Sequence, residues 1–151
     1  MSGFERLRKA TPDDLGFILA LEANPANEYV HSYSEVQHSA NLEKGTVHYF
    51  IAEDKTGEPL GFAILFDDGP GRIEWRRIIV DAPGMGVGQK FMRAVIDYFR
   101  ESGVKSIWLD VYEINARARH VYRAMGFKET GQRPLASNSD ITLMIMELTL
   151  V

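Results

Sequence analysis

The chain contains no cysteine among its 151 residues, which removes disulfides, thiolate metal sites and cysteine nucleophiles together. No secretory leader is visible, and no apolar run approaches the roughly 18 residues a membrane-spanning helix needs. Positive charge is also short: 17 Lys+Arg stand against 21 Asp+Glu, a net charge of −4. That balance argues against general nucleic-acid binding and leaves room only for a local basic patch. His31, His38, His48 and His120 lack metal-ligand spacing with carboxylates on one face, and no serine sits in a nucleophile elbow. There is no repeat, linker or low-complexity segment. What these absences leave is a single cytoplasmic, soluble domain over residues 1–151, expected to use no metal, nucleic acid or membrane.

What is present is an ordinary globular composition, 45% hydrophobic and 25% charged, in a chain long enough for a real core. Phe4 to Ala10 alternates apolar and charged residues as a short strand does. Thr11-Pro12-Asp13-Asp14 reads as a helix start leading into the stripe Leu15, Ile18 and Leu19, and Asn24-Pro25 ends that helix. Tyr33 to Lys44 predicts a second helix with Val36, Ala40 and Leu42 inward. Val47 to Asp54 and Glu58 to Asp67 predict a hairpin around Lys55-Thr56-Gly57. Ser106 to Tyr112 is a buried-type strand, and Asn115 to Met125 a helix with Ala118, Val121, Tyr122 and Met125 inward and Gly126 as its left-handed stop. Phe127 to Gln132 and Ile141 to Leu150 close the chain as strands separated by a polar loop. This order predicts an α/β (α+β) chain with a mixed sheet and helices on both faces.

The most informative stretch is Arg72 to Gln89, RIEWRRIIVDAPGMGVGQ. A β-branched strand runs into a Pro-Gly turn, then Gly84, Gly86 and Gly88, then a helix with Phe91, Met92, Val95, Ile96 and Phe99 on one side. Backbone amides and the positive end of a helix dipole converge on such a turn, which makes it an anion site. Glycines let a phosphate approach the backbone. No Gly-Lys-Ser/Thr follows, so this is not a nucleotide P-loop, and Gln89 stands where the dinucleotide pattern needs its last glycine. A tight turn with no ligand is the plain alternative.

A second constellation lies downstream: Leu109-Asp110-Val111-Tyr112-Glu113-Ile114-Asn115-Ala116-Arg117-Ala118, then Val121-Tyr122-Arg123-Ala124-Met125-Gly126-Phe127. A strand, then N-x-x-A-x-x-V-Y-x-x-x-G-F on a helix, preceded by the glycine turn, resembles the GNAT superfamily of acyl-CoA-dependent N-acetyltransferases. The N-terminal L-R-K-A-T-P-D-D-L extends the likeness over nearly the whole chain. The resemblance implies a mostly antiparallel central sheet, splayed at the acyl-CoA site. It implies that Gly84, Met85, Gly86, Val87, Gly88 and Gln89 cradle the CoA pyrophosphate. Backbone groups of Ile78, Ile79 and Val80 would pair with the pantetheine arm, and Asn115 would bond to it. Tyr122 would act as general acid at the sulfur and Glu74 as general base, directly or through water. Acetyl-CoA and an amine acceptor would be the two substrates. The Asn24 to Ser34 segment, with Tyr29, His31 and Tyr33, would border the acceptor, and a homodimer would be an ordinary assembly.

Each role has a plainer counterpart. Tyr122 lies on its helix's inward stripe, where an aromatic is usually core. Asn115 serves equally well as an N-cap, and its carbonyl and amide can meet different partners. Glu74, beside Arg76 and Arg77, fits a surface ion pair. Arg117, Arg119 and Arg123 could face the CoA phosphates, or simply solvent. Pro83 replaces the Arg or Gln common ahead of the family's glycines and offers no donor. A CoA-binding module without turnover is therefore the alternative to an enzyme.

Overall fold

The computed structural model describes residues 3–25, 33–81 and 86–150. Seven strands form one sheet: β1 (Arg6–Lys9), β2 (Val47–Glu53), β3 (Pro59–Asp67), β4 (Arg72–Val80), β5 (Ser106–Tyr112), β6 (Lys128–Leu135) and β7 (Asn138–Thr149). The helices are α1 (Leu15–Glu22, entered through a 3-10 turn at Pro12–Asp14), α2 (Glu35–Glu43), α3 (Val87–Glu101) and α4 (Ala116–Ala124). The sheet order is β1-β2-β3-β4-β5-β7-β6, antiparallel throughout except for the parallel pair β4–β5.

Two apolar clusters occupy the two faces. The larger lies under α3, whose Phe91, Met92, Val95, Ile96 and Phe99 are all at most 4% exposed, and takes in Ala118 and Tyr122 of α4, with Met125 just after it, at its margin. The smaller joins Ile18 and Leu21 of α1 to Ile51, Phe62, Ile64 and Ile79 of the sheet. Helices on both faces of a mostly antiparallel sheet match the architecture expected from the element order.

The parallel β4–β5 pairing is brief. It covers Arg72, Ile73 and Glu74 against Ser106, Ile107 and Trp108, and ends there. Two residues further on, β4 carries a bulge: Leu65 faces Trp75 and Ile64 faces Arg77, so Arg76 is the extra residue. A bulge bends its strand and increases its local twist, which turns β4 away from β5. It also reverses which face each side chain meets. Ile73 and Trp75 point toward α3, and so do Ile78 and Val80, whereas Ile79 joins the α1 cluster. The Trp75 indole N–H donates to the Arg77 carbonyl at 3.0 Å, satisfying a backbone group at the irregularity.

Four expectations need correction. The inward side of α1 is Ile18, Leu21 and Glu22, while Leu15 and Leu19 are only half-buried, because Glu22 is drawn inward by Arg77 and His38. α2 begins at Glu35, with Ser34 as its cap, and its buried side is polar. His38 and Asn41 point inward while Val36 is 78% exposed and Ala40 is exposed, because side chains on neighbouring elements satisfy the two polar groups. The first strand is shorter than Phe4–Ala10. The expected polar loop near the C-terminus is mostly strand, with β6 and β7 paired from Lys128↔Glu147 to Leu135↔Asn138. Its polar residues are exposed, and Pro134 is tolerated because β6 is an edge strand.

Candidate active site

Where β4 and β5 part, a cavity of about 670 Å³ opens between them. Its β4 wall carries Glu74, Arg76 and Ile78; its β5 wall carries Asp110; and Asn115 and Tyr122 of the α4 region close one end. The sequence-expected Glu74, Ile78, Asn115 and Tyr122 are thus brought together around one space.

Tyr122 is held by the way α4 ends. Gly126 has φ +103°, the Gly126 N–H donates to the Arg123 carbonyl at 3.0 Å, and the Phe127 N–H donates to the Tyr122 carbonyl at 3.0 Å. This double return is the Schellman arrangement, which glycine admits without steric cost. It anchors the fully buried Phe127 against the Tyr122 ring, with centroids 6.0 Å apart. Among the described residues the Tyr122 hydroxyl makes no hydrogen bond. Burial, and secondarily the Asp110 carboxylate, push its pKa up to about 12. The side chain therefore holds its proton throughout the neutral range.

Asn115 caps α4, its side-chain oxygen accepting from the Ala118 N–H at 3.2 Å. The carboxamide N–H₂ is not spent on that cap, so the capping role leaves a donor at the cavity. Glu74 is forked by Arg76, whose Nε donates to Oε2 at 2.7 Å and Nη2 to Oε1 at 2.6 Å. That pairing, with a further bond to the Tyr33 hydroxyl, holds the Arg76 guanidinium above its ordinary range.

Of the glycine turn, Gly84 and Met85 lie outside the described residues, as do Pro83, Tyr29 and His31. Gly86 is the N-cap of α3 at φ +71° and contributes no side-chain cap. The first helical bond runs from the Lys90 N–H to the Gly86 carbonyl at 3.2 Å. The N–H groups of Val87, Gly88 and Gln89 precede it and lie at the positive end of a 15-residue helix. Ile78, Ile79 and Val80 pair with Ala63, Phe62 and Gly61 of β3 on one edge, and no β5 ladder covers them on the other. The approach to β3 is close here: a Cβ on Gly61 would stand 2.5 Å from the Ile79 carbonyl oxygen.

Several residues of the site were not singled out from the sequence. Asp110 accepts from Arg133 Nη2 at 2.5 Å, across the intervening β7. Beneath Arg76 lies a buried polar chain. Arg77 Nη1 donates to Glu22 Oε2 at 2.9 Å, His38 Nε2 meets Glu22 Oε1 at 2.6 Å, and His38 Nδ1 meets the Tyr49 hydroxyl at 2.6 Å. Asn41 donates to that hydroxyl at 3.2 Å. One proton assignment satisfies every member: Asn41 gives to Tyr49, Tyr49 gives to Nδ1, and Nε2–H gives to Glu22. Tyr33 joins chain and cavity, its ring 4.4 Å from the Arg77 guanidinium and its hydroxyl accepting from Arg76 at 3.1 Å. Arg119 and Arg123 both bind Glu129, at 2.8 and 2.7 Å, while Arg117 is exposed. No cluster of metal-ligating side chains exists among the described residues, and no helix among them is long and apolar enough to cross a membrane.

A family model described as Acetyltransferase (GNAT) family matches residues 15–127. The streptothricin acetyltransferase of Streptomyces lavendulae is 35% identical over 102 residues, 65% of this chain and 53% of that protein. The spermine/spermidine N(1)-acetyltransferase of Bacillus subtilis is 28% identical over 83% of this chain and 89% of its own. With the streptothricin enzyme and the human N-acetyltransferase 8, this chain spans only about half the relative's length, 53% and 54%. Among solved structures, the ribosomal-protein-S18-alanine N-acetyltransferase from Escherichia coli superposes with a TM-score of 0.78 at 24% identity, over 96% of this chain and 93% of that one. A spermidine N-acetyltransferase SpeG chimera from Vibrio cholerae and hSSAT does so with a TM-score of 0.85 at 21% identity, over 96% and 95%.

Proposed function

Because the chain belongs to the GNAT acetyltransferase family, we propose that it moves an acetyl group from acetyl-CoA to a primary amine of a small molecule or peptide. The observation that carries this reading is the cavity in the split sheet, with Tyr122 and Asn115 at one end and the ion-paired wall of β4 along its side. The α3 amino terminus would take the pyrophosphate on the amides of Gly86 to Gln89, with Gly84 and Met85 completing the turn. The unladdered edge at Ile78, Ile79 and Val80 would take the pantetheine as an extra strand, and Asn115 would bond to it. Supporting that fit are the missing side-chain cap on α3 and the missing β5 ladder beyond Glu74.

Transfer would be direct. The amine nitrogen attacks the thioester carbonyl, the C–N bond forms, the C–S bond breaks, and the sulfur leaves with the electron pair. The nitrogen loses one proton and the thiolate gains one. An alkylammonium of pKa about 10.4 is only about one part in 2,500 neutral at pH 7, so its deprotonation is a real barrier, about 4.6 kcal/mol. Glu74 is the residue on the cavity wall for this task, through water, since Arg76 already occupies one site on each of its oxygens. Tyr122, at about 12, is a weaker acid than a thiol at about 8.5, so it would donate a hydrogen bond to sulfur and pass its proton only as the C–S bond breaks. Fixed geometry supplies much of the rate.

The forked Glu74 favours a second reading, an acyl-CoA-binding module without turnover. A thiol-release assay over an amine panel, run beside a thermal shift with CoA, separates the two. Thiol release with any amine supports the enzyme. A shift without release supports the module. No shift near 100 times the expected Kd, where about 2.7 kcal/mol of stabilisation is due, defeats both.

A further inference from the structure

The acceptor end of the cavity contains matched ion pairs and no surplus of either charge. Glu74 and Arg76 stand on the β4 wall; Asp110 on β5 and Arg133 on β6 stand across from them. Arg77 also lines the space, but its guanidinium is buried against Glu22. Among the described residues the wall charges are therefore two negative and two positive. A polyamine brings several positive charges and needs carboxylates in excess. Here each carboxylate is already neutralised by an arginine at 2.5 to 2.7 Å.

The pair formed by Asp110 and Arg133 is the informative one. Both residues line the same cavity as Tyr122 and Asn115, so their charges face the space in which the acyl group would be attacked. Arg133 gives Asp110 one Nη2 bond, and its side chain is 53% exposed. A guanidinium has five N–H donors and favours planar, two-point contact with a carboxylate. Asp110 in turn has an oxygen, Oδ1, outside that bond. Adjacent anionic and cationic groups of this kind suit a ligand that presents the opposite pair.

From this we infer that the acceptor is zwitterionic: a small amine carrying a carboxylate within a few bonds of the nitrogen, as in a free amino acid. Its ammonium docks beside Asp110, and its carboxylate docks on Arg133. The inference rests on the acetyl-transfer reading and names the substrate class of that same site. The reaction is the one described above, with the carboxylate unchanged in the product.

The test compares free amino acids with their methyl esters and with spermidine, at saturating acetyl-CoA, by thiol release and mass of the product. The free acid is expected to exceed its ester at least tenfold in kcat/KM, and spermidine by more. An ester amine is the weaker base and so more reactive at neutral pH, which means that this preference would run against intrinsic reactivity. In Arg133→Gln the acid-to-ester ratio should fall toward one and spermidine turnover should rise, because Asp110 is then an unneutralised carboxylate. Arg133→Lys should recover part of the ratio. Circular dichroism and the CoA-induced melting shift check that each variant is folded and loaded. Turnover of esters or spermidine equal to or above that of free acids overturns the inference while leaving the acetyltransferase reading intact. So does an Arg133→Gln ratio that does not move. Absence of thiol release with every amine tested overturns both.

Discussion

Replacing Arg77 by Met tests whether the buried polar chain holds the β4 wall in place. The guanidinium and the Glu22 carboxylate are 5% and 1% exposed and 2.9 Å apart. At an effective dielectric of 20 that separation corresponds to about 6 kcal/mol of attraction, set against the desolvation of both ions. Methionine fills much of the arginine stem's volume, so the cost is chiefly electrical. Glu22 would keep His38 at 2.6 Å and lose its only arginine among the described residues. Stranding a buried charge in this way costs about 3–5 kcal/mol, which for a chain of this size is about 10 °C or more in Tm. Glu22→Gln in the same molecule should restore about 1–3 kcal/mol, because its carbonyl can still accept from His38 and no charge remains buried. Urea unfolding at pH 7, with unchanged m-values, gives both numbers and their coupling. A single-variant loss below about 1 kcal/mol, or a double variant no better than Arg77→Met, would refute the account.

Three further outcomes are expected. Tyr122→Phe should lower kcat about 10²–10⁴-fold while changing stability by no more than about 0.5 kcal/mol, since the hydroxyl has no hydrogen bond to lose; equal kcat at equal folding would remove its role. Tyr49 and Tyr122 are both pushed up to about 12, chiefly by burial. Their folded pKa values lie above the unfolded value of about 10, so their contribution is complete below that pH and is lost as pH rises through the folded values. Stability measured between pH 9 and 12 should fall, and less steeply in Tyr49→Phe and Tyr122→Phe. Gly61→Ala should cost about 1–3 kcal/mol by pushing the Ile79 carbonyl aside, and it should weaken CoA binding; unchanged urea midpoints would contradict the close approach.

Local signals in the sequence reached far. The one-sided apolar spacing of Phe91 to Phe99, the hairpin about Gly57 and the terminal Gly126 all rest on contacts within a few residues, and each predicted element is present. The helix and strand that present Asn115, Tyr122 and Glu74 were legible for the same reason. What escaped depends on distant partners. Nothing near Val36 tells it to face water, because the inward choice of His38 and Asn41 is set by Glu22 and Tyr49 on other elements. Arg133 and Asp110 are 23 residues apart and meet across a third strand. The bulge at Arg76 leaves alternate residues buried along β4 on both sides of it, so even a perfect alternation conceals the change of face.

That bulge makes the fold and its opening separable. All the pairings from Leu65↔Trp75 and Ile64↔Arg77 outward are already in register without Arg76. A chain lacking that one residue would keep every partner in the sheet, and would lose the bend together with the guanidinium that caps Glu74. The reverse case, an uninterrupted ladder that retains Arg76, would turn Arg77 toward the apolar layer beneath α3, away from Glu22. A length mismatch of one residue between neighbouring strands thus sets both whether the sheet opens and where its buried charge can rest. Insertions and deletions at this point act as a discrete structural variable, unlike changes of loop length elsewhere on the chain.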